Sequence, residues 1–311
     1  VMITKDKVTE IFCIIDEFNK NLSDELLKNL CLPSVDKNGI RRRNRLGRMS
    51  ESEIMTVLVC YHFGTYSTFK DYYLNCIKGS LKDCFPDAVS YNRFVELMPR
   101  VFLLMMLFMK LYAFGKCTGI TFVDSTMIPV CHNLRRYMNK VFAGLAKDGK
   151  GTMGWCNGFK MHLIINDKGE ILNFMFTPGN VDDREPLKQG KFMENIKGKL
   201  CADKGYIGQA LFDNLFLNGI QLVTKVKNNM KNSLMGIADK ILLRKRALIE
   251  TVNDELKNIA QIEHSRHRSF NNFIANSLSA IAIYCFFEKK PAIDVNFVND
   301  GQLLFFRTHV K

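Results

Sequence analysis

Thr118-Gly119-Ile120-Thr121-Phe122-Val123-Asp124-Ser125-Thr126 decides the fold of this chain. A short apolar, β-branched run that ends on an aspartate reads as a buried strand delivering a carboxylate at its end. A second β-rich run follows at 127–131. Further downstream, 159–166 and 171–177 read as two strands around the turn Asn166-Asp167-Lys168-Gly169. Pro178-Gly179-Asn180 then precedes an expected helix at 183–195. A buried strand at 199–202 places Asp203 at its end, within Leu200-Cys201-Ala202-Asp203-Lys204-Gly205-Tyr206. A helix at 208–217, a strand at 220–226 and two long helices at 239–262 and 269–288 complete the pattern. Strands that alternate with helices predict an α/β layered architecture with a mixed sheet.

Upstream of 118 the texture is helical. Val8, Ile11, Phe12, Ile15 and Phe18 form one stripe of a helix within 2–31. Ser50-Glu51-Ser52-Glu53 is a capping box that opens a helix to about 63. Further helices are expected at 69–77, from Ser90, and at 101–114. The expected organisation is therefore a helical region at 1–115, an α/β domain at 116–290, and an unassigned tail at 291–311.

The chain has 311 residues and a formal net charge of +13, which favours a polyanionic partner bound in a salt-dependent way. No membrane partner is expected. The most apolar stretch, 101–117, is interrupted by Lys110 and Lys116, and a spanning helix needs about 20 apolar residues. No signal-peptide core lies near Val1. The ten cysteines include no C-x-x-C pair. They read as small buried hydrophobes in a reducing cytoplasm, not as a zinc site.

Three acids carry the chemistry. Asp124 and Asp203 end neighbouring strands, and Glu250 lies on the helix at 239–262. Each aspartate alone fits a turn or cap equally well. Two strand-end aspartates with one helical glutamate can hold a pair of hard divalent cations around a phosphodiester. Glu250 competes with Asp254 and Glu255. Arg246, Glu250, Asn253 and Lys257 share one helical face, beside a stripe of Ile249, Val252, Leu256 and Ile259 expected to be buried. Glu255 points away from that face. The plainer reading is an Arg246–Glu250 i, i+4 pair on a solvated face.

Arg246-x-x-x-Glu250-x-x-x-x-x-x-Lys257 resembles the Y-x-x-R-x-x-x-E-x-x-x-x-x-x-K signature of insertion-sequence DDE transposases. Leu243 stands at the signature's tyrosine position. Asp124 in V-D-S-T, Asp203 in A-D-K-G-Y and the segment Thr177-Pro178-Gly179-Asn180-Val181-Asp182-Asp183 resemble the same family. Residues 263–269, with Asn272-Phe273-Ile274, are similar to the group numbered nine-eighty-two in the insertion-sequence nomenclature. The resemblance covers about 2–290 and implies several things. The fold would be ribonuclease-H-like, and two Mg²⁺ ions, replaceable by Mn²⁺, would sit on Asp124, Asp203 and Glu250. The protein would act as a homodimer or higher multimer on double-stranded DNA with terminal inverted repeats. It would cut the element ends by hydrolysis and join the 3′-hydroxyl to target DNA, beside the nucleoid of a prokaryotic cytoplasm. Alternatives are a ribonuclease-H-like nuclease without strand transfer and an inactive DNA-binding repressor.

DNA contacts are expected from Arg246 and Lys257. Lys225, Lys227 and Lys231 lie at and just after the last strand, and Arg266 and Arg268 stand with His264 and His267 between the last two helices. The acid-free segment 37–50 holds Arg41, Arg42 and Arg43 and reads as a grip on phosphates or as a linker. The helices at 50–63, 69–77 and 90–99 fit a helix-turn-helix-like reader or a plain bundle. His162 reads as a satisfied sheet histidine, and Asp182 and Asp183 as helix caps. Trp155 reads as a base-stacking residue or a loop anchor.

Overall fold

In a computed structural model, residues 3–29, 47–63, 66–151, 154–225, 235–263, 268–295 and 298 are described. The first elements are helical. α1 (Lys5–Asn29) buries Val8, Ile11, Ile15 and Phe18. α2 (Glu51–Cys60) opens on the expected capping box: Ser50 Oγ accepts from the Glu53 amide at 3.1 Å, and the Glu53 carboxylate accepts from the Ser50 amide at 2.7 Å. α3 (Phe69–Asp71) widens into i→i+5 turns over Tyr72–Ser80. The wider turns carry Tyr72 and Tyr73 into the core, where their hydroxyls donate to the carbonyls of Val57 and Val89. α4 (Tyr91–Leu97) is capped by Ser90, and α5 (Phe102–Phe108) continues in wide turns over Met109–Ala113.

The sheet begins with β1 (Ile120–His132), a single long strand where the sequence predicts two short ones. Ser125 and Thr126 do not end it, because pairing with the next long strand runs unbroken through them. Pro129 sits at a register shift, where its missing N–H costs little. β2 (Lys147–Gly151) and β3 (Gly154–Asn166) form a hairpin, and β3 runs antiparallel to β1 from Thr121↔Asn166 to His132↔Cys156. The β3 strand starts earlier than the expected 159. β4 (Ile171–Pro178) pairs with the rest of β3's far edge. In the turn between them, the Asn166 side chain accepts from the amides of Lys168 and Glu170. Gly169 takes φ +69 there, with the Pro291 carbonyl where a Cβ would go.

β5 (Gly198–Ala202) lies parallel to β1, and β6 (Ile220–Thr224) parallel to β5, with α6 (Gln209–Leu217) between them in the chain. The resulting order β4-β3-β1-β5-β6 joins an antiparallel meander to two parallel strands. With helices on its faces, this is the ribonuclease-H-like mixed sheet. One face packs Val123, Leu200 and Ala202 against Leu211 and Leu215 of α6. Alternation turns Phe122, Asp124 and Cys201 to the other face. That face meets α7 (Ile237–Lys245) and α8 (Ala247–Asn258), whose Leu242, Ile249, Val252 and Leu256 are fully buried. A 2.8 Å ion pair between Lys199 of β5 and Asp239 ties α7 down.

Three further expectations change. The region 183–195 is a series of turns with one 3₁₀ turn at Pro186–Lys188, because Pro186, Gly190 and a left-handed Asn195 (φ 61) interrupt a helix. The helix expected at 239–262 is two helices that break at Arg246, and Ile259 lies beyond the second, 54% exposed. α9 (Phe270–Cys285), capped by Ser269, packs with α2 and α5. The two compact units are therefore residues up to 113 with 259–286, and 114–258 with the residues from 287 on. The boundary falls at 258 where the sequence places it at 290. α9 is buried nearly all round, Asn276, Ser277 and Ser279 included, and its sequence pattern does not say which core it fills.

Candidate active site

The β5 partner of β1 stops at Phe122↔Cys201, two residues short of Asp124. Asp124 is thus mid-strand in β1, paired to Leu163 of β3 on one side and past the end of its β5 pairing on the other. Asp203 follows the last residue of β5 and opens the turn Lys204–Tyr206. These two carboxylates share the sheet face covered by α7 and α8.

The break between those helices supplies the third side. Arg246 occupies it and turns its guanidinium inward: Nη2 donates to Glu250 Oε1 at 2.7 Å, and Nη1 stands 3.6 Å from Asp124 Oδ1. Asn253 Nδ2 donates to Asp124 Oδ2 at 3.3 Å, and Lys257 Nζ to the Met127 carbonyl at 3.4 Å. Arg246, Glu250, Asn253 and Lys257 therefore lie along β1 as one face. The buried stripe of Ile249, Val252 and Leu256 holds α8 in that rotation. Glu255 is on another side of the helix, where burial raises its pKa and Lys290 opposes the rise. Asp254 is exposed.

Burial pushes the Asp124 carboxyl up to about 6. The Arg246 charge and the Ser125 amide oppose this rise, while the negative charges of Glu250 and Asp203 add to it. The three acids thus act on one another in a single field. Among the described residues, no group of three or more His, Cys, Asp or Glu side chains is close enough to hold a metal ion as placed. The Arg246 guanidinium bridges Asp124 and Glu250 there. The available donors are nevertheless hard oxygens, and Asn253 Oδ1 is buried with no hydrogen-bond partner. That chemistry suits Mg²⁺ or Mn²⁺ better than a softer ion.

A second polar cluster adjoins Asp124. Ser125 Oγ and Lys160 Nζ each donate to Asp183 Oδ1 at 2.8 Å, and Lys160 also donates to the Val181 carbonyl. Asp183 is therefore tied to β1 and β3, and caps no helix. Asp182 accepts from the amide and guanidinium of Arg184, which hold its carboxyl far below the usual range. The buried Tyr206 hydroxyl is pushed well up by burial and by the charges of Asp124 and Asp183. His162 is fully buried with Nε2 2.8 Å from Thr177 Oγ1, and burial lowers its pKa to about 4, so it is neutral at physiological pH.

Lys225 is exposed just past β6. In the helical unit, Arg268 and Lys70 border a cavity of about 690 Å³ with Tyr61, Phe69, Tyr91 and Asn272. Arg41, Arg42, Arg43, Lys227, Lys231, His264, Arg266 and His267 lie outside the described residues. Sequence reasoning missed the Asn253 amide on Asp124 and the Ser125–Asp183–Lys160 cluster. The shared helical face already marked Asn253. Nothing local marked Lys160.

The family described as "Transposase DDE domain" matches residues 114–270. No protein of curated function matches the chain. Among solved structures, the chain is similar to piggyBac transposase in its cryo-EM synaptic complex with hairpin DNA. The identity is 10% and the TM-score 0.43, over 96% of this chain and 76% of that one. It is also similar to the crystal structure of the Mos1 strand transfer complex, at 8% identity and a TM-score of 0.25, over 79% of each chain.

Proposed function

The chain belongs to the transposase DDE domain family and is a DNA transposase, and from that premise we propose that Asp124, Asp203 and Glu250 are its catalytic carboxylates. The observation that supports this most is the Arg246 bridge. One guanidinium reaches both Asp124 and Glu250 while the charge of Asp203 acts on Asp124. Residues 124, 203 and 250 come from three separate elements, and a plain surface ion pair would not engage all of them.

DDE transposase domains generally depend on divalent metal. The ions assigned here are two Mg²⁺, with Mn²⁺ as a substitute, held by Asp124, Asp203 and Glu250. Metal bound there would activate the attacking oxygen and stabilise the leaving one. Asp124 has to ionise to serve, and Asn253 keeps its carboxylate oriented while it does. Arg246 is a positioning residue that holds Glu250 toward Asp124 and offers its charge to a DNA phosphate. Lys257, Lys225 and Arg268 take further phosphates. Water breaks the P–O bond at the element end and releases a 3′-hydroxyl. That hydroxyl attacks a target phosphodiester, forms a new P–O bond and expels the target's own 3′-oxygen.

In this reading the helical unit and the arginines at 41–43 bind the terminal inverted repeats, target DNA is the second partner, and a homodimer or higher multimer pairs the ends. The working compartment is the cytoplasm, beside the nucleoid. Among the described residues no helix is long and apolar enough to cross a membrane. The test is a supercoiled donor plasmid carrying the element ends, incubated with a target plasmid in Mg²⁺. Wild type should cut and join, and Asp203→Asn should bind the ends without doing either. Comparable cutting by Asp203→Asn would refute the assignment. Cut ends without joined product would favour a nuclease.

A further inference from the structure

Beyond the carboxylates, β1 runs on into a region the proposed chemistry does not use. Residues 133–155 contain the cations Arg135, Arg136, Lys140, Lys147 and Lys150 and one acid, Asp148. That acid is already engaged, since Asn157 Nδ2 donates to it at 2.8 Å and Arg136 pairs with it. The same segment holds large side chains in the open: Tyr137 is 83% exposed and Trp155 58%.

Lys150, Trp155 and Tyr137 share one platform. In the β2–β3 hairpin, Asp148 faces Asn157 and Lys150 faces Trp155. Residues two apart point to the same side of a strand. Arg136 bonds to Asp148 and to the Tyr137 hydroxyl, and its guanidinium lies 4.7 Å from the Tyr137 ring centre. Tyr137 is thereby tethered to the hairpin side that carries Lys150 and Trp155. The hairpin itself is seated firmly. A Cβ at Gly149 would stand 2.5 Å from the Gly179 carbonyl and 2.8 Å from Met127 Sδ, so only glycine allows this approach.

We propose that this hairpin face is a second DNA-binding surface that grips duplex DNA close to one helical turn from the scissile phosphate. The inference rests on the transposase reading and extends it. Lys150 takes a phosphate, and Tyr137 and Trp155 lie against deoxyribose and base edges. From Leu163, opposite Asp124, to Trp155 is eight residues along β3, or roughly 26 Å at the rise of a strand. At 3.4 Å per base pair that is about eight base pairs. A second copy of the chain would cover the exposed rings too, but two such faces would set like charges against each other.

The experiment is a hydroxyl-radical footprint of the full-length protein on a duplex of about 60 base pairs carrying the element end, in EDTA so that no cutting occurs. Wild type should protect the duplex at the cut site and again about eight base pairs away. Lys150→Ala and, separately, Trp155→Ala should lose the distal protection and keep the proximal one. Lys150→Ala should also bind more weakly, with a salt slope shallower by about 0.9. An unchanged footprint and slope in both variants overturns the proposal, as does a change in oligomeric state by light scattering with DNA protection intact. Because binding is read apart from cleavage, a wild type that protects both regions but never cuts in Mg²⁺ removes the catalytic reading and leaves this surface standing. A wild type that protects no DNA overturns both.

Discussion

Replacing Asp124 by asparagine should make the metal-free protein more stable, even as it destroys the site. The folded carboxyl sits at about 6, against 3.8 for an ordinary aspartate, mainly because it is buried and only 23% of its side chain is exposed. That displacement corresponds to about 3 kcal/mol. The sign follows from proton counting. Well below pH 3.8 the group is protonated in both folded and unfolded chains and costs nothing. As pH rises from there to about 6, the unfolded chain releases its proton first, so the fold loses stability. Above about 6 the loss is complete. Asp124→Asn removes this cost, so in EDTA it should exceed wild type by about 3 kcal/mol near pH 7.5 and match it near pH 3.5. Amide exchange of β1 peptides reads the opening of this unit alone. Adding Mg²⁺ should narrow the gap, because a ligand of the native state stabilises wild type by about 2.7 kcal/mol at a hundred times its Kd. A stability difference that stays constant from pH 4 to 8, or a variant less stable at pH 7.5, would refute the reasoning.

The Lys199–Asp239 pair has side chains only 10% and 16% exposed. Asp239→Ala should therefore cost about 3 kcal/mol in the same exchange measurement on β5, and a loss under about 1 kcal/mol would show that other groups already satisfy the lysine. Lys257→Ala should slow end cleavage with a melting temperature within about 2 °C of wild type, since its 3.4 Å bond to the Met127 carbonyl is long. A normal rate and duplex affinity would make Lys257 a bystander. Replacing Arg41, Arg42 and Arg43 by alanine should flatten the salt dependence of DNA binding by about 0.9 for each phosphate that those arginines neutralise. An unaltered slope would return that run to the role of linker.

Much of the sheet and the relation of the acids to it were legible because they rest on local patterns. The apolar run before Asp124, the Asn166–Gly169 turn and the strand before Asp203 all carry their own signals. Helical spacing separated Glu250 from Glu255, and the structure puts the two on different sides of α8. What escaped notice depends on partners distant in sequence. Lys147-Asp148-Gly149-Lys150-Gly151 has no strand propensity and becomes β2 only because β3 offers it an edge. Ser125-Thr126 looked like a stop, yet β3 pairs straight through it. The break at Arg246 carries no glycine or proline to announce it. The guanidinium found there answers two acids, one of them 122 positions back in the chain.

The place of α9 has a consequence for how the protein is made. α2 and α5 leave the ribosome early, but the helix that covers them comes after residues 114–258. At about 5–20 residues per second the wait is roughly ten to thirty seconds, and through it the sides of α2 and α5 that pack with α9 lack their final cover. Nascent chains of this protein should therefore lean on chaperones more than their size suggests. A gene copy interrupted anywhere before the codon for Ser269 would also leave its helical half incomplete. Broken copies should yield degraded fragments, and no stable remnant to compete with the intact protein for DNA.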